Sequence, residues 1–110
     1  MIYIGFSPRT HKLYARILCK RFKHCAPLVV HSNKIYLYQF VNKNNISIIP
    51  LKKRDLLILE KHGWVFIKYN GRFNSDYVRP ALTCVQFTKR TCNINNSKII
   101  TPYDLFKYLK

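Results

Sequence analysis

Cys84, His24 and Gln39 are the residues whose types and settings suit nucleophilic chemistry. Cys84 follows Leu82-Thr83 and opens a helical pattern, Val85–Arg90. A thiol in the first turn of a helix has its thiolate stabilised by the positive end of the helix dipole. Lys89 and Arg90 add a cationic setting. The competing reading is a helix cysteine that only packs, since cysteine is among the most buried residue types. His24 opens an extended run, Cys25–His31, and a histidine at the end of a rigid strand suits a general base for a thiol. His11, His31 and His62 compete with it for that role. Gln39 stands near the end of the next extended run, where a polar side chain can hold the far imidazole nitrogen, as the third member of a catalytic triad does.

The elements that must position these residues are legible from hydrophobic periodicity. Met1–Phe6 alternates and predicts a short strand, and Ser7-Pro8 supplies a helix start signal. Leu13, Tyr14, Ile17, Leu18 and Phe22 fall at helical spacing, so His11–Phe22 reads as an amphipathic helix with a cationic outer face. Cys25–His31 and Lys34–Val41 predict a hairpin turned by Ser32-Asn33. Pro27 implies an edge position or irregular pairing near the start of its strand. A polar turn, Asn42–Asn45, leads to a strand over Ile46–Pro50. Lys52–His62 predicts a helix burying Leu56, Leu57 and Leu59, stopped by Gly63. Trp64–Tyr69 is a strand, and Asn70–Pro80 a polar loop long enough to be functional. Thr83–Cys92 is a helix with Val85 and Phe87 buried. The last helix starts at Thr101-Pro102 with Asp104 in a capping box, and Leu105, Phe106, Tyr108 and Leu109 form its apolar face. The expected order is β-α-β-β-β-α-β-α-α, an α+β fold with a small antiparallel sheet of four or five strands.

Composition bounds the class. The chain has 110 residues, 48% apolar and 15% aromatic. That is one domain, residues 1–110, with enough apolar surface for a core and too much for a disordered chain. No run is long enough to cross a bilayer as a helix, and the first residues lack the cationic lead and apolar centre of a signal peptide, so a cytoplasmic setting is expected. Twenty Lys+Arg against four Asp+Glu give a net charge of +16. Abundant Lys, Ile and Asn fit AT-rich coding, but Glu codons are equally AT-compatible and Glu60 is the single Glu. The charge therefore points to an anionic partner. The four cysteines, Cys19, Cys25, Cys84 and Cys92, lack the paired spacing of a zinc site, and a core of this size needs no disulfide staples. They are expected to be mostly reduced and buried, with no metal and no cofactor.

Base, orienter and nucleophile occur in the order His, polar residue, Cys, with a helix carrying the cysteine. This order resembles the circularly permuted branch of the NlpC-type papain-like cysteine hydrolases. The stretches that carry the resemblance are Lys23-His24-Cys25-Ala26-Pro27-Leu28-Val29 and Leu82-Thr83-Cys84-Val85-Gln86-Phe87-Thr88-Lys89. Between them, Asn33–Gln39 resembles the family's second strand, which ends in a polar residue, and Ile46–Leu51 its third, which closes on a Pro-Leu pair. The resemblance implies a papain-like core in permuted order, with Cys84 as nucleophile, His24 as base and Gln39 as orienter. It departs from the family at Pro27, which interrupts the strand after the histidine, and at Gln39, where Glu or His is commoner.

Two function classes follow. The first is a small cysteine peptidase, amidase or acyl hydrolase working through a thioester, with a peptide, acyl or anionic substrate. The Cys84 backbone N–H is its default oxyanion donor. The second is a basic binding protein without catalysis, directed at nucleic acid or an acidic assembly partner. Its eight tyrosines interleaved with Lys and Arg are the mix that stacks bases and neutralises phosphates. The small, acid-poor, Lys/Asn/Ile-rich chain has a phage-like composition, which would put it in the host cytoplasm or the virion.

Overall fold

The computed structural model describes residues 1–8, 22–42, 45–74, 81 and 83–110. Its strands are β1 (Ile2–Ser7), β2 (His24–His31), β3 (Lys34–Asn42), β4 (Asn45–Leu51) and β5 (Val65–Tyr69). Its helices are α1 (Lys53–Lys61), α2 (Cys84–Thr91) and α3 (Pro102–Leu109). The strands form one antiparallel sheet in the order β4-β3-β2-β1-β5. The α+β class, the antiparallel sheet and the helix at Cys84 agree with the sequence reading. The expected helix over His11–Phe22 lies outside the described residues except for Phe22, and so do parts of the Asn42–Asn45 turn and the Asn70–Pro80 loop.

Alternation along the strands sends neighbouring residues to opposite faces. One face carries Ile2, Ile4, Phe6 and Cys25, which pack with Val85 of α2 and Leu105 and Phe106 of α3. The other carries Ala26, Leu28 and Leu37, with Leu56 of α1, Trp64 and Phe66 against them. The hairpin between β2 and β3 turns on Ser32 and Asn33, both in left-handed backbone (φ 50° and 65°), as a tight two-residue turn with the right twist demands. Gly63 ends the α1 segment at φ 95°, a conformation that glycine adopts without strain.

Three expectations need correction. Leu57 is 60% exposed rather than buried, and Leu56 and Leu59 are only half-buried. Each residue turns a helix by about 100°, so Leu56 and Leu59 share the inner side of α1 while Leu57 swings out. By the same geometry Tyr108 is 54% exposed, whereas Leu105 is buried and Leu109 packs against its cluster. Pro27 does not mark an edge: β2 lies between β1 and β3, and Pro27 pairs with Ile4. The irregularity falls on its other side, where the ladder to β3 runs only from Leu28 to His31.

Candidate active site

His24 is the first residue of β2, paired with Ser7 at the end of β1, so its ring lies at the end of the sheet rather than within it. The approach to His24 is fixed by an aromatic triangle. Phe22 lies 5.5 Å from Phe6 and 4.8 Å from Phe106 of α3, ring centre to ring centre, and Phe6 and Phe106 are 5.4 Å apart. Such tilted and edge-on contacts are favoured by the ring quadrupoles. Trp64, just before β5, meets the imidazole edge to face at 6.0 Å. Trp64 and Phe66 stack on each other beside Gly5. A side chain at Gly5 would put its Cβ 2.7 Å from Phe66 Cε1 and 3.0 Å from Trp64 Cε3, so glycine there makes room for the wall behind His24.

Gln39 reaches His24 across the stretch where β2 and β3 are no longer paired. Its Oε1 lies 2.5 Å from His24 Nε2. An amide oxygen can only accept, so Nε2 carries the proton and Nδ1 is left as the basic nitrogen.

Cys84 is the first residue of α2. Thr83 caps that helix, its hydroxyl accepting from the Gln86 N–H at 3.1 Å, which fixes the turn that carries the thiol. The Cys84 sulfur lies 4.0 Å from Cys25 Sγ, and the Cys25 thiol donates to it. Its pKa is held well below the ordinary thiol value. The chief cause is that hydrogen bond from Cys25. Burial opposes it, while hydrogen bonding and charge from His24 and the Cys25 backbone N–H add to the lowering. Cys25 moves the other way: burial pushes it up, and donating to Cys84 adds to the rise. It also shares a hydrogen bond of 3.6 Å with Thr88 Oγ1. Cys84, His24 and Gln39 are each half-buried.

The structure thus brings the three sequence-derived residues to one place, with His24 bonded to Gln39 and facing Cys84. Lys89 and Arg90 do not form the expected cationic setting of the thiol. They occupy the last turn of α2, and Lys89 donates to the Ile99 carbonyl at 2.9 Å. The sequence reading missed Cys25 and Trp64. Alternation alone turns Cys25 to the opposite face from His24, and only the fold shows that the Cys84 helix packs on that face. Cys25, Cys84 and Cys92 are free thiols. Among the described residues, no group of three His, Cys, Asp or Glu side chains is arranged to hold a metal ion. Comparison with known proteins finds no matching family model, no matching curated protein and no matching solved structure.

Proposed function

We propose that the protein is a small cysteine hydrolase that cleaves an amide or acyl bond through a thioester, with Cys84 as nucleophile, His24 as base and Gln39 as the positioning residue. The observation that carries this reading is a thiol of lowered pKa at a helix start, against a histidine whose other nitrogen is held by an amide oxygen. Ionised Cys84 attacks the carbonyl carbon, and His24, protonated at Nδ1, gives its proton to the leaving group. The remaining acyl group is a thioester on Cys84. His24, again neutral, takes a proton from water, which attacks the thioester and releases the acid. The oxyanion formed in each step lies near the N-terminus of α2. The Cys84 backbone N–H there is in the first turn, where a helix supplies no internal acceptor. Gln39 fixes the tautomer but, being neutral, adds no charge to stabilise the imidazolium.

The substrate class suggested by the +16 charge is an anionic peptide or acyl conjugate. The test uses an activated acyl ester whose leaving group is coloured. The expected result is a burst of one leaving group per protein, with the acyl group mapped to Cys84 by mass spectrometry. Cys84→Ala should abolish the burst, and His24→Ala should slow both its formation and its decay. Absence of any adduct on Cys84 in the folded protein removes the hydrolase reading. The same charge favours, as the second reading, a basic module that binds a polyanion without catalysis, and that reading gains if Cys84→Ala leaves polyanion binding intact.

A further inference from the structure

Cys25 is fully buried, takes no part in the hydrolytic steps above, and yet places its sulfur 4.0 Å from the nucleophile. A protein that needed only a hydrogen-bond donor there could use serine. A second thiol in that position brings a different capability. We propose that Cys25 is a resolving cysteine, and that a peroxide converts Cys84 and Cys25 into a reversible disulfide that switches the site off. The proposal rests on the same reactive Cys84 as the hydrolase reading, and extends it to regulation.

The chemistry balances with hydrogen peroxide as the oxidant. The Cys84 thiolate attacks one peroxide oxygen, forming a sulfur–oxygen bond while the oxygen–oxygen bond breaks. Cys84 is oxidised by two electrons to the sulfenic acid, and the expelled hydroxide takes a proton from His24 and leaves as water. The Cys25 sulfur then attacks the Cys84 sulfur. A sulfur–sulfur bond forms, the sulfur–oxygen bond breaks, and the hydroxide leaves as a second water with the Cys25 proton. The sum is two thiols and one peroxide giving one disulfide and two waters.

The geometry favours the second step over further oxidation. A disulfide has a sulfur–sulfur length of about 2.05 Å, so the pair must close by about 2 Å. Cys84 begins its helix and is half-buried, whereas Cys25 sits in the ladder against Phe6, so the closing movement belongs to Cys84. Cys25 already directs its thiol at the Cys84 sulfur. An external thiol reaches the bond at the half-buried Cys84 sulfur and releases the Cys25 thiolate, and a second thiol attacking the mixed disulfide so formed restores Cys84. The third described thiol, Cys92, lies in the core with its pKa pushed by burial up to about 11, and offers no competing thiolate.

The test exposes the reduced full chain to equimolar hydrogen peroxide, alkylates the remaining thiols after unfolding, and maps the peptides. The expected product is a Cys25–Cys84 linked pair, lighter by two hydrogens, with Cys92 alkylated and both thiols restored by dithiothreitol. Cys25→Ser keeps a donor to Cys84 but has no sulfur to join, so peroxide should then leave Cys84 carrying oxygen as its main product. Wild-type protein in which Cys84 gains oxygen while Cys25 remains alkylatable overturns the proposal, and this mapping needs no variant. So does a main disulfide through Cys19. Limited iodoacetamide labelling, run in parallel, separates the two ideas. Selective labelling of Cys84 without the disulfide sinks the switch and leaves the hydrolase, and a disulfide on a Cys84 that forms no acyl adduct does the reverse.

Discussion

The proton between Cys25 and Cys84 rests on Cys25, because burial disfavours a charge on the deeper sulfur while the Cys25 thiol and His24 both favour one on Cys84. A lowered thiol pKa means that Cys84 stays ionised as the pH falls below the usual thiol range near about 8.5, and loses reactivity only lower down. Limiting iodoacetamide at about pH 6.5, two units under that range, should therefore label Cys84 ahead of Cys19, Cys25 and Cys92. His24→Ala should abolish the preference and Gln39→Ala weaken it. Cys25→Ala removes the chief cause of the lowering and should slow labelling, with Cys25→Ser recovering part of the rate. Equal labelling of all four thiols in the folded wild type contradicts the assignment. Cys92 gives a prediction of opposite sign. Its folded pKa is raised to about 11, so its contribution to stability is complete below the unfolded value near about 8.5 and is lost as pH rises through 11. At about 1.4 kcal/mol per pKa unit, the loss amounts to about 3 kcal/mol. Urea melts at rising pH should show a smaller alkaline loss in Cys92→Ala than in wild type. At this scale the sequence carried Cys84, His24 and Gln39 as a candidate group, because each has a chemically distinctive type and Cys84 and His24 open a helix and a strand. It did not carry Cys25 as a partner of Cys84, since that depends on which face of the sheet α2 covers.

Elements hold these residues through their ends, and the ends are where short-range sequence rules apply best. Thr83 caps α2 and Thr101 caps α3, where the Thr101 hydroxyl accepts from the Asp104 N–H at 3.1 Å and Asp104 accepts from the Thr101 N–H at 3.0 Å. Burial tends to raise the Asp104 pKa, but the Thr101 and Ile100 N–H groups that donate to its carboxylate outweigh it and hold it lowered. Replacing either threonine by Ala should cost about 1 kcal/mol in urea denaturation. Only Thr83→Ala should also slow Cys84 labelling, because only α2 presents the thiol. Gly5→Ala tests the other wall. Its Cβ would overlap Phe66 and crowd Trp64, so we expect a loss of about 1–3 kcal/mol and a weaker labelling preference at Cys84 as Trp64 shifts against His24. Unchanged melts and labelling would show that Trp64 has no part in placing the imidazole. The hairpin turn, the Gly63 stop and the Thr101 cap were readable because each depends on a few adjacent residues. Side-chain exposure on α1 and α3 was read less well. Leu57 and Tyr108 were assigned inward by residue type, whereas helix rotation and the position of the sheet decide which side is covered. At Pro27 the irregular pairing was legible but the central place of its strand was not, since a missing N–H shows that one ladder is interrupted but not which strand lies there.

Among the described residues, no Lys or Arg contributes to the lowered pKa of Cys84. At the opposite end of the sheet a groove of about 660 Å³ is lined by Val30, His31, Lys68, Tyr69, Arg72 and Phe73, with Lys68 and Arg72 exposed and the two rings half-buried against the core. No helix among the described residues is long and apolar enough to cross a membrane. A net charge of +16 on 110 residues draws anions over a distance set by salt, about 10 Å at 0.1 M. Short duplex DNA serves as a probe of that field. Its binding should weaken with salt at a slope of about −0.9 per phosphate neutralised, and Lys68→Ala with Arg72→Ala should flatten the slope if the groove is where it lies. The same titration should be run on the acyl-transfer reaction with an anionic and a neutral ester. If the field serves catalysis, salt slows the anionic ester and leaves the neutral one alone, and duplex DNA competes with the anionic ester for the protein. If instead DNA binds with the full slope to Cys84→Ala, and the groove substitutions weaken it without altering acyl transfer, the two ends of the sheet work independently. A flat salt response in both assays would mean that the positive charge reflects codon usage rather than a partner.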